Sequence, residues 1–310
     1  MKVFSFSPAA YREAFEQHGW VHVRDGLTSE FLDAALATVA QAERDRRLGG
    51  RGIAGAKAQF VFEFPEADHY DELFDAVAEL CGLDRPAVTL SERHIKAYEA
   101  DADPDPVAHK DRFASQVSMG LSLVVPEGSH LVLYPEDDVW ENPFLNTALR
   151  DSLEDDRLPE VVLEGAQGVE IHDAPGDVVV FRGSAFWHLR RNSAETVNVY
   201  LKFNDFGADP LGEDPTTPQR RAATLALLEG DVAGVVPVLA RRFDSVFREY
   251  RREGWPERLF ANVWGQNPFP LSEAEDELLR SVDGRRTVAE LGVDPALVRR
   301  LARRGALDLL

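Results

Sequence analysis

The 310 residues include a single cysteine, Cys81, so no intrachain disulfide can form, and a reducing compartment suits the chain. Cys81 precedes Gly82 at an expected helix end, which reads as a packed thiol. Positive charge is also scarce. With 34 Lys and Arg against 54 Asp and Glu, the formal net charge is −20. So acidic a chain repels phosphate backbones and anionic lipid, which argues against nucleic acid or a membrane surface as partner. No apolar run approaches the roughly 20 residues that cross a bilayer. The first residues lack a basic-then-apolar export signal, so the expectation is a cytoplasmic protein. What remains is ordinary for a globular chain: 44% hydrophobic and 28% charged residues. The length suffices for one large domain plus a small one.

Two short stretches carry the chemistry. Val107-Ala108-His109-Lys110-Asp111 puts an imidazole and a carboxylate two residues apart, on one side of an extended chain. Gly176-Asp177-Val178-Val179-Val180-Phe181 is an apolar strand opened by a Pro-Gly-Asp turn, and Trp187-His188 follows it. Two imidazoles and one carboxylate on one face of a metal leave the opposite positions open. That arrangement lets non-haem Fe(II) hold O2 beside a co-substrate.

These stretches resemble the Fe(II)/2-oxoglutarate-dependent oxygenases, most nearly the phytanoyl-CoA-dioxygenase-like group. The segment from Tyr11 through Gly19-Trp20 to Leu27 resembles that group's opening, and Asn192-Ser193 after Trp187-His188 fits as well. The resemblance spans residues 8 to 207. It implies a mainly β fold with flanking helices, a double-stranded β-helix (jelly-roll, cupin-like) barrel with the metal at one mouth. It implies His109, Asp111 and His188 as catalytic metal ligands, with Fe(II), 2-oxoglutarate and O2 as cofactor and co-substrates. The implied activity is dioxygenase hydroxylation of a small metabolite, amino acid or natural-product intermediate. Asp111 speaks against halogenation, because halogenating relatives replace the carboxylate to admit chloride.

The pattern departs from the family at the co-substrate anchor. Relatives usually carry an arginine on the strand after the distal histidine, about ten residues along, to pair with the far carboxylate. Here that neighbourhood reads Thr196-Val197-Asn198-Val199, without a base. Lys202 shares a strand face with Asn198 and is the preferred anchor, with Asn198 as a hydrogen-bonding neighbour. Arg190 and Lys96 are the other candidates.

The remaining chain reads as follows. Helices are expected over residues 8–18, ending at Gly19, over a stripe of Phe31, Leu32, Ala35, Leu36 and Val39, and over Tyr70 to Cys81. His18 and His22 read as structural. Gly49-Gly50-Arg51-Gly52 has no strand before it and no Lys-Ser/Thr after it, so a mobile loop over the barrel mouth is expected instead of a phosphate loop. Strands are expected over Gln59 to Phe64, Val88 to Tyr98, Gln116 to Val125, Gly128 to Tyr134 and Thr196 to Phe203. Residues 135–166 are acidic with little β pattern, and read as a lid over the metal or a solvated insertion, with a helix near Phe144 to Leu153.

The expected domains are a barrel at 1–208, a linker with helical extension at 209–270, and a small winged-helix-like module at 271–310. The extension would hold helices over Gln219–Glu229 and Val235–Arg252. In the module, Ser272 with Glu275 forms a capping box. Arg299, Arg300, Arg303 and Arg304 either bind an acidic surface or balance charge on a solvated helix face. A barrel followed by such a module also resembles the JmjC-type ribosomal oxygenases, which would make the substrate a peptide or protein side chain. The third alternative is a non-catalytic, cupin-like binding protein with a vestigial metal site. A small-molecule substrate is the primary expectation; no feature of the sequence sets an oligomeric state.

Overall fold

The structure, a computed structural model, describes residues 1–44, 56–249 and 257–310. The Gly49–Gly52 loop and the end of the expected Val235–Arg252 helix lie outside the described residues. The chain forms two compact units, Met1–Phe206 and Gly207–Leu310.

In the first unit the elements run α1 (Arg12–His18), β1 (Trp20–Val23), α2 (Ser29–Arg44), β2 (Ala56–Val61), α3 (Asp68–Cys81), β3 (Thr89–Tyr98) and β4 (Val117–Val124). They continue with β5 (His130–Tyr134), α4 (Pro159–Val162), β6 (Val169–Ile171), β7 (Val178–Phe181), β8 (Trp187–Arg191) and β9 (Val197–Asn204). Two antiparallel sheets result, ordered β1-β7-β4-β9-β3-β2 and β6-β5-β8. A bridge between His109 and His188 adds the HxD segment to the free edge of the smaller sheet. After β3 the chain crosses repeatedly between the sheets: the HxD bridge and β5, β6 and β8 lie in the small sheet, and β4, β7 and β9 in the large one. This is the strand order of a double-stranded β-helix.

Strand alternation divides the large sheet chemically. Met119, Leu121, Val178, Val180, Val199, Leu201 and Phe203 belong to one apolar cluster with Phe31 and Ala35 of α2 and Leu73, Val77 and Leu80 of α3. Burying each such side chain contributes about 1.5–3 kcal/mol. The alternate positions Ser118, Ser122, Asn198 and Lys202 are buried polar residues. Val179 and Phe181 of β7 share a smaller apolar cluster with Leu131 and Leu133 of β5 and Ile171 of β6, so part of the barrel interior is dry.

The acidic 135–166 segment is neither a lid nor a loose insertion. Trp140, Phe144, Leu149, Leu153, Val162 and Leu163 pack on Val132, Tyr134, Trp187 and Leu189, the outer face of the small sheet. Single helical turns at Arg150–Ser152 and Asp155–Arg157 replace the helix expected near Phe144–Leu153.

The second unit comprises α5 (Thr217–Leu227), β10 (Pro237–Leu239), β11 (Phe243–Arg248), β12 (Leu259–Val263) and β13 (Phe269–Leu271). It closes with α6 (Glu273–Ser281), α7 (Val288–Leu291), α8 (Pro295–Arg303) and β14 (Leu307–Leu309). The helix expected from Val235 is instead β10 and β11. Pro237 lacks the amide that a helix interior needs, and β10 pairs with β14. Leu228, Val232 and Val235 share one core with Ala261, Leu278, Val298 and Leu307, so the expected linker-extension and C-terminal module are one folded body. The capping box holds: the Glu275 amide donates to Ser272 Oγ, and the Ser272 amide donates to the Glu275 carboxylate at 2.8 Å. Two basic residues of α8, Arg299 and Arg300, are engaged internally. Arg299 donates to the carbonyls of Leu228 and Gly230, and Arg300 pairs with Glu275 at 3.0 Å.

Candidate metal centre

His109 and His188 exchange backbone hydrogen bonds in both directions at 2.9 Å, which fixes their rings side by side with centroids 4.3 Å apart. Asp111, two residues on, is placed by its amide, which donates to the Gly183 carbonyl at 2.9 Å. Its own carbonyl accepts from Asn142 Nδ2 at 2.9 Å. One ligand atom from each of His109, Asp111 and His188 falls within 4.8 Å of the others, so the three side chains could hold a metal ion. His188 Nε2 lies 3.7 Å from Asp111 Oδ2.

The His188 Nδ1 is 3.0 Å from the Phe186 carbonyl, so Nδ1 carries the proton and the Nε2 lone pair faces Asp111. Burial pushes the His188 imidazole below its ordinary pKa. The same cause, with the neighbouring His188, lowers His109, whose outer edge remains open to solvent at the mouth. Burial alone would raise Asp111, but Lys202, His188 and His109 more than offset it and hold the carboxyl well below the usual range. The set is therefore two neutral imidazoles and one carboxylate, the donor state that a divalent metal requires.

The four cofactor-anchor candidates are all buried, but they have different partners. Lys202 donates to Asp111 Oδ2 and, at 3.2 Å, to Ser118 Oγ. It serves the carboxylate of the ligand set. Arg190 donates to Asp173 at 2.6 Å and to Ser129 Oγ at 3.1 Å, in a buried ion pair. Asn198 is bonded to the Tyr200 hydroxyl at 3.1 Å. Lys96 lies directly across from Asn198 in the β3–β9 pairing, with its amine 5.0 Å from the centre of the Tyr200 ring. Among the described residues its ammonium has no hydrogen-bond or ion-pair partner.

No family model matches the chain, and no curated protein matches it. Among solved structures it is similar to SnoK, a non-heme alpha ketoglutarate dependent carbocyclase from nogalamycin biosynthesis. That likeness has 16% identity and a TM-score of 0.48, over 65% of this chain and 85% of that one. It is also similar to the epimerase SnoN from nogalamycin biosynthesis, at 18% identity and a TM-score of 0.46, over 64% and 84% of the two chains. A Pseudomonas putida prolyl-4-hydroxylase is similar at 16% identity and a TM-score of 0.42, over 64% and 98%.

Several residues of the site were not singled out from the sequence. Ser118 Oγ donates to Asp111 Oδ2 at 2.6 Å. The signal for it is the alternation Val117-Ser118-Met119-Gly120-Leu121-Ser122-Leu123, which places small polar residues on the face opposite the helices. Gly183 packs so closely that a Cβ there would overlap Ser118 Oγ and lie 2.6 Å from Asp111 Oδ2. Lys110 points away from the site. Its ammonium donates to the carbonyls of Asp138 and Trp140 at 2.7 and 2.8 Å and lies over the Trp140 and Trp187 rings. The 135–166 segment thereby clamps the HxD backbone. His22 is structural, its Nε2 2.7 Å from Asp177, whose other oxygen accepts the Asp25 amide.

A second group, Glu66, Asp68 and His69, also comes together at the start of α3. Both His69 ring nitrogens are already engaged, Nδ1 by the Glu66 amide at 3.3 Å and Nε2 by the Met1 carbonyl at 3.1 Å. That imidazole packs; it does not offer a free lone pair. No described helix is long and apolar enough to cross a membrane.

Proposed function

We propose that the chain is a non-haem Fe(II)- and 2-oxoglutarate-dependent dioxygenase that oxidises a small molecule, with hydroxylation as the reaction. The observation that carries this reading is the occurrence of His109, Asp111 and His188 in the same barrel as a buried Lys96 that has no hydrogen-bond or ion-pair partner among the described residues. The donor set fits Fe(II), since neutral imidazoles and a carboxylate on one face leave coordination positions for other ligands. When bound, the iron supplies the centre at which O2 is reduced and 2-oxoglutarate is decarboxylated.

The chain's own residues have separable jobs. The Phe186 carbonyl fixes the His188 tautomer so that Nε2 is the donor atom. Lys202 and Ser118 hold one oxygen of Asp111 and keep it ionised. Phe181, its ring 4.8 Å from that of His188, shields the buried side of the site from water. Lys96 is the proposed anchor for a carboxylate of 2-oxoglutarate, because it is the candidate whose charge is not already spent on a protein carboxylate or hydroxyl. A lysine does this as a point charge, without the bidentate fork of arginine. Arg190 supports the same wall through Asp173, and Asn198 fills the strand position where a family arginine would stand.

Consumption of 2-oxoglutarate and O2 without added substrate tests the reading. It is expected in the iron-loaded wild type and absent in Asp111→Ala. No Fe(II)-dependent consumption in the wild type would overturn it.

A further inference from the structure

The Gly207–Leu310 unit has a cavity of about 250 Å³, whose lining includes Thr217, Arg221, Arg241, Arg242, Gln266 and Asp308. Three guanidinium groups and one carboxylate in one cavity are conspicuous in a chain of net charge −20. Each guanidinium is fixed differently. Arg241 is buried and donates through Nη1 to Asp214 Oδ1 at 2.8 Å and to Thr216 Oγ1 at 2.7 Å, while its Nε has no partner among the described residues. Arg221 donates to the carbonyls of Ala302 and Arg303, neutral groups that leave its charge uncompensated.

Arg242 is the most telling. Its guanidinium sits between Gly212 and Gly265, where a Cβ on Gly265 would come within 2.6 Å of Nη2 and one on Gly212 within 3.3 Å. Both glycines have positive φ, +73° and +77°. The backbone thus confines Arg242 by shape, while its buried Nε finds no acceptor among the described residues. A buried guanidinium donor without a partner costs free energy unless something arrives to accept it.

The cavity wall also includes the start of α5, at Thr217 and Pro218, whose positive end adds to the field. The loop leading to it is built around the buried Asp209. Its carboxylate accepts from the amides of Gly212, Glu213 and Asp214 and from Thr217 Oγ1. The loop is therefore preformed. The remaining wall is apolar at Pro218, Ala240 and Val263.

We infer that this cavity binds the phosphate group of a small phosphorylated metabolite. Arg242 and Arg221 supply the charge, Arg241 supplies a third guanidinium, and the apolar wall takes the organic body. A tetrahedral phosphate with three terminal oxygens suits this surplus of donors better than the two oxygens of a carboxylate. The site is independent of the barrel chemistry.

Calorimetric titration of the full-length protein with inorganic phosphate, with succinate as the carboxylate control, tests it alongside hydrogen exchange. Phosphate is expected to bind in the millimolar range or tighter and to protect residues 209–218 and 264–266. Arg242→Gln should weaken binding about tenfold or more, Arg242→Lys should retain part of it, and Lys96→Gln should leave it unchanged. Arg242 makes no side-chain hydrogen bond among the described residues, so an unchanged unfolding midpoint is expected in both Arg242 variants. Failure of phosphate to bind, binding indifferent to Arg242→Gln, or succinate binding that equals it and is likewise weakened by Arg242→Gln would each overturn the assignment.

Discussion

Lys96 and Asn198 face each other across the β3–β9 pair, and Lys96 brings the positive charge to a strand position where Asn198 has none. Lys96 and Lys202 lie on the same sheet face. Lys202 donates to Asp111, whereas Lys96 has no hydrogen-bond or ion-pair partner among the described residues and is the proposed carboxylate anchor.

Lys96→Ala should raise the 2-oxoglutarate concentration needed for turnover about ten- to a hundredfold, the loss of one charge-assisted contact. Fe(II) binding should stay nearly intact. The two are separated by steady-state kinetics and by metal titration. A silent Lys96→Ala, with the effect appearing in Arg190→Ala, would move the anchor to β8.

The pH dependence of metal binding follows from the shifts in the ligand set. His109 and His188 are held below their ordinary pKa by burial, and Asp111 below its own because Lys202 and the two imidazoles offset burial. Protons therefore compete for the folded site less than they would for free imidazoles, and affinity should begin to fall only below the ordinary histidine pKa of about 6.5. In Lys202→Ala the largest factor lowering Asp111 is gone, so affinity should begin to fall at higher pH. The metal-free fold responds in the same direction. All three groups bind protons more readily when unfolded, so stability is fully present above the ordinary histidine pKa and is lost as pH falls through the carboxylate range. Titrations at several pH values and chemical denaturation check both.

Gly183→Ala should abolish or severely weaken Fe(II) binding while leaving the barrel folded. The added methyl meets Ser118 Oγ and Asp111 Oδ2, so relief must come from displacing the ligand. Metal titration beside circular dichroism distinguishes this from unfolding. Unimpaired binding would mean that the Gly183 turn yields instead.

The strands, the helical cover and the grouping of His109, Asp111 and His188 were legible in the sequence because each rests on a local signal. Period-two alternation in residues 117–123 and 197–203 marks a sheet with one face under helices, and HxD with a distant His marks the ligands. What was not legible depends on long-range contact. The 135–166 segment reads as polar, yet its few large apolar residues, Trp140, Phe144 and Leu149, close over the small sheet. The helix expected from Val235 failed at Pro237 and at the pairing of β10 with β14, a contact across seventy residues. Lys202 looked like the anchor because strand alternation gives a shared face. It does not say which inward group a long side chain reaches.

Asn142→Ala tests the clamp that the 135–166 segment exerts on the site. The buried amide side chain donates to the Asp111 carbonyl and accepts from the Phe144 amide, both at 2.9 Å. Its loss should cost about 1–3 kcal/mol of stability and weaken metal affinity without changing the 2-oxoglutarate requirement of the loaded enzyme. Denaturant unfolding and metal titration read the two effects.

Anaerobic calorimetric titration of the purified protein with Fe(II), in wild type, Asp111→Ala and His188→Ala, tests the central claim most directly. The wild type should take up one Fe(II) per chain and both variants none. A wild type that takes up no iron, or variants that bind it undiminished, would contradict the assignment of His109, Asp111 and His188 as the metal centre.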